Sequence, residues 1–257
     1  MFNKLRSIKR CKEIRRRILE LTQNVPALHV GGSFSSVEII ESIYFNFLTK
    51  KDKFILSKGH TAILQYVVLE KIGKLKKKDL ENYCKPNGIL GVHPDYGNPG
   101  IEASTGALGH GLAISAGMAL STRNKNNKYY VLMSDGELHE GSIWEAALLI
   151  GSLKLKNITL IIDNNDLQSS TKSTDTHPSL YPIGEKFKSF GWSTVDCNGN
   201  SSSEIFKAIT KDNNNKPKAI IAKTIKGFPI SFMKDIPMWH YRSPNKNELK
   251  IALEELK

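Results

Sequence analysis

The sequence has 257 residues, 40% apolar and 24% charged, with a formal charge of +12. That supplies a full apolar core and excludes a disordered or fibrous chain, while no apolar run approaches the roughly 18–20 residues a membrane-spanning helix needs. Three scattered cysteines, Cys11, Cys84 and Cys197, lack metal-binding spacing and point to a reducing, cytoplasmic setting with inert thiols.

Residues 1–20 hold eight Lys/Arg and two acids. Around these charges Leu5, Ile8, Cys11, Ile14, Ile18 and Leu21 recur at helical spacing, predicting an amphipathic helix with a solvated basic face. No apolar run or small-residue cleavage site follows, so a secretory signal is not expected. PALHVGGSFSS reads as a Gly-rich turn, and Ser35 and Glu38 have capping-box spacing before VEIIESIYFNFL. FILS is a strand and SKGH the turn after it. Helices are expected over 61–72 and 75–83, a long Gly/Pro/Asn loop over 84–104, and a small-residue helix from Thr105 to Leu120. YYVLMSD and NITLIID are strands ending at Asp135 and Asp163, separated by the helix EGSIWEAALLIGSLKL. The polar loop NNDLQSSTKSTDTHPS, a short helix, the strand GWSTVD, the helix SSSEIFKAIT and the strand KAIIAKT complete the series.

Strands alternating with helices imply a single α/β domain over 1–257, with a parallel sheet flanked by helices on both faces. Right-handed crossovers place the loops after the strands on one edge, where such sheets hold ligands. Asp135 beside Gly136, and Asn165 at the end of the next strand, therefore converge. Mg²⁺ takes oxygen ligands from a carboxylate, amides, carbonyls, waters and phosphates. Asp135, the Asn165 amide and a carbonyl near Leu167 suit that set, although an ordinary Asp-Gly turn before an Asn-rich loop would read the same. His29, His60 and His93 each sit in a Gly-containing loop and would line a polar channel, or each satisfy a local hydrogen bond. His240 joins them if the tail folds back. STGALGHG offers backbone N–H groups to a diphosphate, or close helix packing.

LHVGGSFS, FILSKGH, GVHPDYGNPGIEASTGALGHGLAISAGMAL, SDGELHEGSIWEAA, IIDNNDLQ and AKTIKGFPISFMKDIPMWH, in this order and over nearly the whole chain, resemble the N-terminal, diphosphate-binding half of transketolase. The detail is most similar to split transketolases, in which this half is a separate chain. The resemblance implies a thiamine-diphosphate-binding fold, with thiamine diphosphate and Mg²⁺ (or Ca²⁺ or Mn²⁺ in its place) as cofactors. It implies metal ligation by the side chains of Asp135 and Asn165 and the carbonyl of Leu167. Gly106, Ala107, Leu108 and Gly136 would lie against the cofactor, and His60 at its diphosphate. His29, His93 and His240 would face substrate and, with His60, form the catalytic set; Glu140 would also lie at the cofactor, and Glu140 and Glu145 at a subunit contact. Departures are Ser134, Leu28 and Val92 in place of family glycines, and His110 in place of a common Gln; side chains at 28 and 92 would narrow the channel.

The family's cofactor-activating glutamate belongs to the pyrimidine-binding half. The resemblance thus implies that this chain is inactive alone and forms a heterotetramer, two plus two, with a C-terminal, pyrimidine-binding subunit. The implied reaction moves a two-carbon ketol unit between sugar phosphates, with no nucleic-acid or membrane partner. The alternatives are a 2-oxo acid dehydrogenase alpha-type subunit or another split thiamine enzyme and, more distantly, a basic nucleic-acid-binding module.

Overall fold

The computed structural model describes residues 2–25, 28–123, 125–169 and 171–257; Pro26 and Ala27 of the expected Gly-rich turn, and Ser170 of the polar loop, lie outside the described residues. The sheet is built from β1 (Lys53–Leu56), β2 (Tyr129–Ser134), β3 (Ile158–Asn164), β6 (Ser193–Asn198) and β7 (Lys218–Lys223), in the order β1-β2-β3-β7-β6. Every pairing in it is parallel. The register sets Ser134 beside Asp163 and Asn164 beside Lys223, so β2, β3 and β7 end together. A small antiparallel pair, β4 (Leu167–Gln168) and β5 (Thr171–Lys172), precedes the short helix α8 (Ser173–Thr176) within the expected polar loop.

The central strands read as continuous apolar runs because both faces are covered. On one face Leu132, Ile161 and Ile220 meet α1 (Lys4–Leu21), α3 (Val37–Ser42), α4 (Ala62–Lys71) and α10 (Ser202–Thr210) through Ile14, Ile18, Ile40, Leu64 and Ile205. On the other, Val131, Leu160 and Ile162 pack under α6 (Gly111–Ser121), α7 (Gly141–Ser152) and α9 (Ile183–Ser189) through Leu112, Ile143, Ile150 and Phe187. The remaining helices are α2 (Val30–Ser35), α5 (Lys77–Glu81) and α11 (Lys246–Glu255).

Several expectations change. The stripe of α1 is buried only from Cys11 onward; Leu5 and Ile8 are exposed. Its basic face is not simply solvated, because Arg10, Arg15 and Arg17 pair with Glu41, Glu38 and Glu70. This pairing also prevents the Ser35–Glu38 capping box: Glu38 is held by both Arg15 amino groups at 2.7 Å, and the Ser35 hydroxyl donates to Asp163. The segment VGGSFS is helix rather than turn. Its Gly31 lets the backbone pass Trp239, whose carbonyl oxygen would stand 2.7 Å from an added Cβ. The helix expected from Thr105 begins at Gly111, because Gly106 and Gly109 adopt φ of +135° and +90° and carry the chain as a loop across the strand ends.

Candidate functional site

The loops after β1, β2, β3 and β7 surround a cavity of about 390 Å³ at the carboxyl edge of the sheet. Its wall includes His29, His60, His93 and His240, together with Gly106, Leu108, Gly136, Glu140, Asn165 and Leu167. The tail brings His240 in because Arg242 bridges to the 28–29 segment, its N–H donating to the Leu28 carbonyl at 3.1 Å. The ring of His29 then lies 4.9 Å from that of His60, 5.1 Å from that of His240 and 4.7 Å from that of Tyr241.

Asp135 sits beneath the wall, fully buried. Its carboxylate accepts the Gly136 N–H at 2.9 Å and the Asp166 N–H at 2.6 Å, which ties the end of β2 to the loop after β3. The Asn165 side-chain oxygen accepts the Leu167 N–H at 3.1 Å. Burial, with the charge of Asp163 added, pushes the Asp135 carboxyl up to about 7. Ala107 is exposed and, like Leu28 and Val92, is not part of the cavity wall; the Leu28 side chain is in the core. Glu145 and His110 are exposed and stand outside the wall.

Two buried ammonium groups shape the field, and neither was assigned a role from the sequence. Lys58 donates to Asp163 at 2.5 Å and to the Gly32 carbonyl and the Ser36 hydroxyl. Lys226 donates to the Leu167 carbonyl at 3.2 Å and to His240 Nδ1 at 2.9 Å. Burial, then repulsion from Lys58, lowers Lys226 to about 8. Both lysines follow strands at the ligand edge, in SKGH and TIKG, and that position was the available signal. The same field holds His29, His60 and His240 neutral. Burial first, then neighbouring histidines and lysines, lowers His29 to about 4; burial, Lys226 and Lys58 lower His240 to about 4, and His60 also falls well below its ordinary value. A neutral His240 that accepts from Lys226 at Nδ1 carries its proton on Nε2, so that nitrogen is a donor.

Glu137, also unassigned from the sequence, is a fully buried carboxyl that joins two parts of the site. Its Oε1 accepts from the Ser57 hydroxyl at 2.5 Å and from the Gly109 N–H at 3.0 Å, fixing the Gly106–Gly109 loop to the turn after β2. A Cβ at Gly106 would come within 2.5 Å of the His93 ring, so that position accepts only glycine while the backbone faces the cavity. One carboxylate, one amide oxygen, one carbonyl, exposed backbone and two ammonium groups match a divalent cation bridged to a diphosphate. Among the described residues no cluster of three His, Cys, Asp or Glu could hold a metal by itself.

A family profile described as "Transketolase, thiamine diphosphate binding domain" matches residues 11–250. The chain is 39% identical to one of the subunits of the apulose-4-phosphate transketolase of Actinobacillus succinogenes, over 97% of this chain and 95% of that one. It is 32% identical to a 6-deoxy-6-sulfo-D-fructose transketolase subunit of a Clostridium species, over 95% of this chain and 93% of that one. The solved transketolase of Campylobacter jejuni superposes with a TM-score of 0.90 at 25% identity; all of this chain is covered, and it spans 43% of that longer chain.

Proposed function

The chain belongs to the transketolase family, as a thiamine-diphosphate-binding subunit of a transketolase-type transferase that works with a separate partner subunit. We propose that it transfers a two-carbon ketol unit from a ketose phosphate to an aldose phosphate in a heterotetramer, two plus two, with a pyrimidine-binding subunit. Residues 1–257 act as one domain in this reading, and the three free cysteines fit a cytoplasmic location. The observation that carries the reading is the joining of the Asp135 turn, Asn165 and four histidines around one cavity with two ammonium groups.

Asp135, the Asn165 side chain and the Leu167 carbonyl would hold Mg²⁺, while Gly106, Leu108, Gly136, His60 and Lys226 would hold the diphosphate. When bound, thiamine diphosphate supplies the carbon nucleophile of the reaction. The ketose donor must lose the proton of its C3 hydroxyl as the C2–C3 bond breaks, and the acceptor aldehyde oxygen must gain one. The ring nitrogens of His29, His60 and His93 would accept the first proton, and the Nε2–H of His240 would donate to the acceptor oxygen. Glu140, exposed on the cavity rim, would face the partner.

The 2-oxo acid dehydrogenase reading would use the same metal turn, but four imidazoles in one cavity suit sugar hydroxyls rather than decarboxylation. The test is the chain mixed with its partner, Mg²⁺ and thiamine diphosphate, supplied with xylulose 5-phosphate and an aldose acceptor or with pyruvate. Ketol transfer is expected; decarboxylation of pyruvate without use of the ketose would overturn the proposal.

A further inference from the structure

We propose that a groove at the amino-terminal edge of the sheet, opposite the cofactor cavity, binds the sugar-phosphate backbone of single-stranded RNA. The groove lies where β2, β3 and β7 begin and has a volume of about 1030 Å³. Six exposed cations line it: Arg123, Lys125, Lys128, Lys154, Lys156 and Lys211, with Lys218 buried at its floor. Asp212 is the one carboxylate among the described residues of the lining. Nearby Asp52 is buried and already accepts from the backbone of Thr49 and Lys128.

The gathering of seven cations around one groove with a single carboxylate marks this face. Among the described residues none of these seven cations makes an ion pair, whereas Arg10, Arg15 and Arg17 of α1 each meet a carboxylate. The basic N-terminal run, the largest charge cluster in the sequence, is neutralised at these three arginines only, and the groove holds a second, separate surplus. Sequence order hides this surplus because three separate segments, 123–128, 154–156 and 211–218, contribute to it. Lys218 donates to the carbonyls of Ala208, Ile209 and Lys211; burial lowers it to about 8, with Asp212 opposing the shift and repulsion from Lys128 and Lys211 adding to it. A polyanion would relieve that repulsion.

The groove's size and chemistry select the occupant. It is at the upper end of the roughly 300–1,000 Å³ typical of small-molecule pockets and open, as suits an extended chain. Asn126, Asn127, Asn157, Asn213 and Asn215 add amides that bond phosphate and sugar oxygens. The two aromatic rings are no stacking platform, since Tyr130 is buried and Phe47 is partly covered against the core. Recognition therefore runs through the backbone and is independent of base sequence.

The test is fluorescence anisotropy of the full chain with a labelled oligouridine, across a salt series. Binding is expected with a Kd of about 10 μM or tighter at 0.1 M salt, weakening steeply as salt rises. The combined variant Lys125→Ala, Lys128→Ala and Lys156→Ala is expected to bind at least about tenfold more weakly, with a log–log salt slope reduced by about 2. The equally charged control Lys4→Ala, Arg6→Ala and Lys9→Ala on α1 should bind as the parent does. All six positions are exposed, and unchanged thermal midpoints verify the fold. Equal weakening in both variants, absence of binding, or displacement of the RNA by a polyglutamate peptide at equal charge concentration would each overturn the proposal, the last in favour of an acidic polypeptide.

Discussion

The Lys58 ammonium and the Asp163 carboxylate meet at 2.5 Å with both side chains sealed from solvent, at the junction of the cavity wall and the sheet. Ser35, Ser36 and Thr224 also donate to Asp163, so α2, the turn before α3, the turn after β1 and the exit of β7 all converge on one anion. The carboxylate is held below its usual range against the burial that opposes ionisation, chiefly by Lys58. Removing one partner leaves a buried charge with no counter-ion. Lys58→Met is expected to cost about 3–5 kcal/mol in urea unfolding, and adding Asp163→Asn should recover part of that loss. A single-variant cost below about 1 kcal/mol would show that the pair does not organise this corner of the fold.

Arg15 and Glu38 make a second buried junction, between α1 and the same α2–α3 segment, with Arg15 also donating to the carbonyls of Phe34 and Phe228. Arg15→Met should destabilise by about 3 kcal/mol or more. The exposed Lys188–Glu185 pair provides the contrast, and Lys188→Ala should leave the unfolding midpoint essentially unchanged. Chemical denaturation of both variants checks the difference.

The histidine cavity gives the chain an acid limit. His29 and His240 titrate at about 4 when folded and near 6.5 when unfolded, so between those values the unfolded state binds more protons. Stability should therefore fall as pH drops from about 6.5 to about 4 and level off below that as far as these two groups are concerned. The variant His29→Gln should lose about one proton from the slope of unfolding free energy against pH. An unchanged slope would mean that His29 is already charged in the folded chain.

The three thiols should separate by access. Cys11 is buried beside Glu38 and Glu41, and burial pushes its thiol far up; Cys197 is pushed up to about 12 by burial, Glu204 and Asp196. Cys84 is exposed. Titration of the native chain with a disulfide reagent should show one fast thiol, absent in Cys84→Ser, and two that react only on unfolding. Three fast thiols would contradict the packing of α1 against α10.

Sequence periodicity and order reveal the layers of this fold, because β2, β3 and β7 are continuous apolar runs alternating with helices. They also indicate the ligand edge, and so the neighbourhood of Asp135, Asn165 and His60. What pattern cannot convey is which buried charges meet. Lys58 and Asp163 are far apart in sequence, as are Arg15 and Glu38, and the basic face of α1 looked like a solvated surface until its carboxylate partners were in place. Lys226 and Glu137 were missed for a related reason: each acts through a backbone carbonyl, a backbone N–H or a ring nitrogen that only the folded loops supply. The late start of α6 follows from positive φ at Gly106 and Gly109, which local helix propensity does not reveal.

The most direct test of the central claim is calorimetric titration of thiamine diphosphate into the chain with its partner subunit, in Mg²⁺ and again in EDTA. The account predicts binding in Mg²⁺ that disappears in EDTA and in Asp135→Ala, while the folded assembly persists by scattering. Binding of equal strength in EDTA, or in the Asp135→Ala assembly, would contradict it.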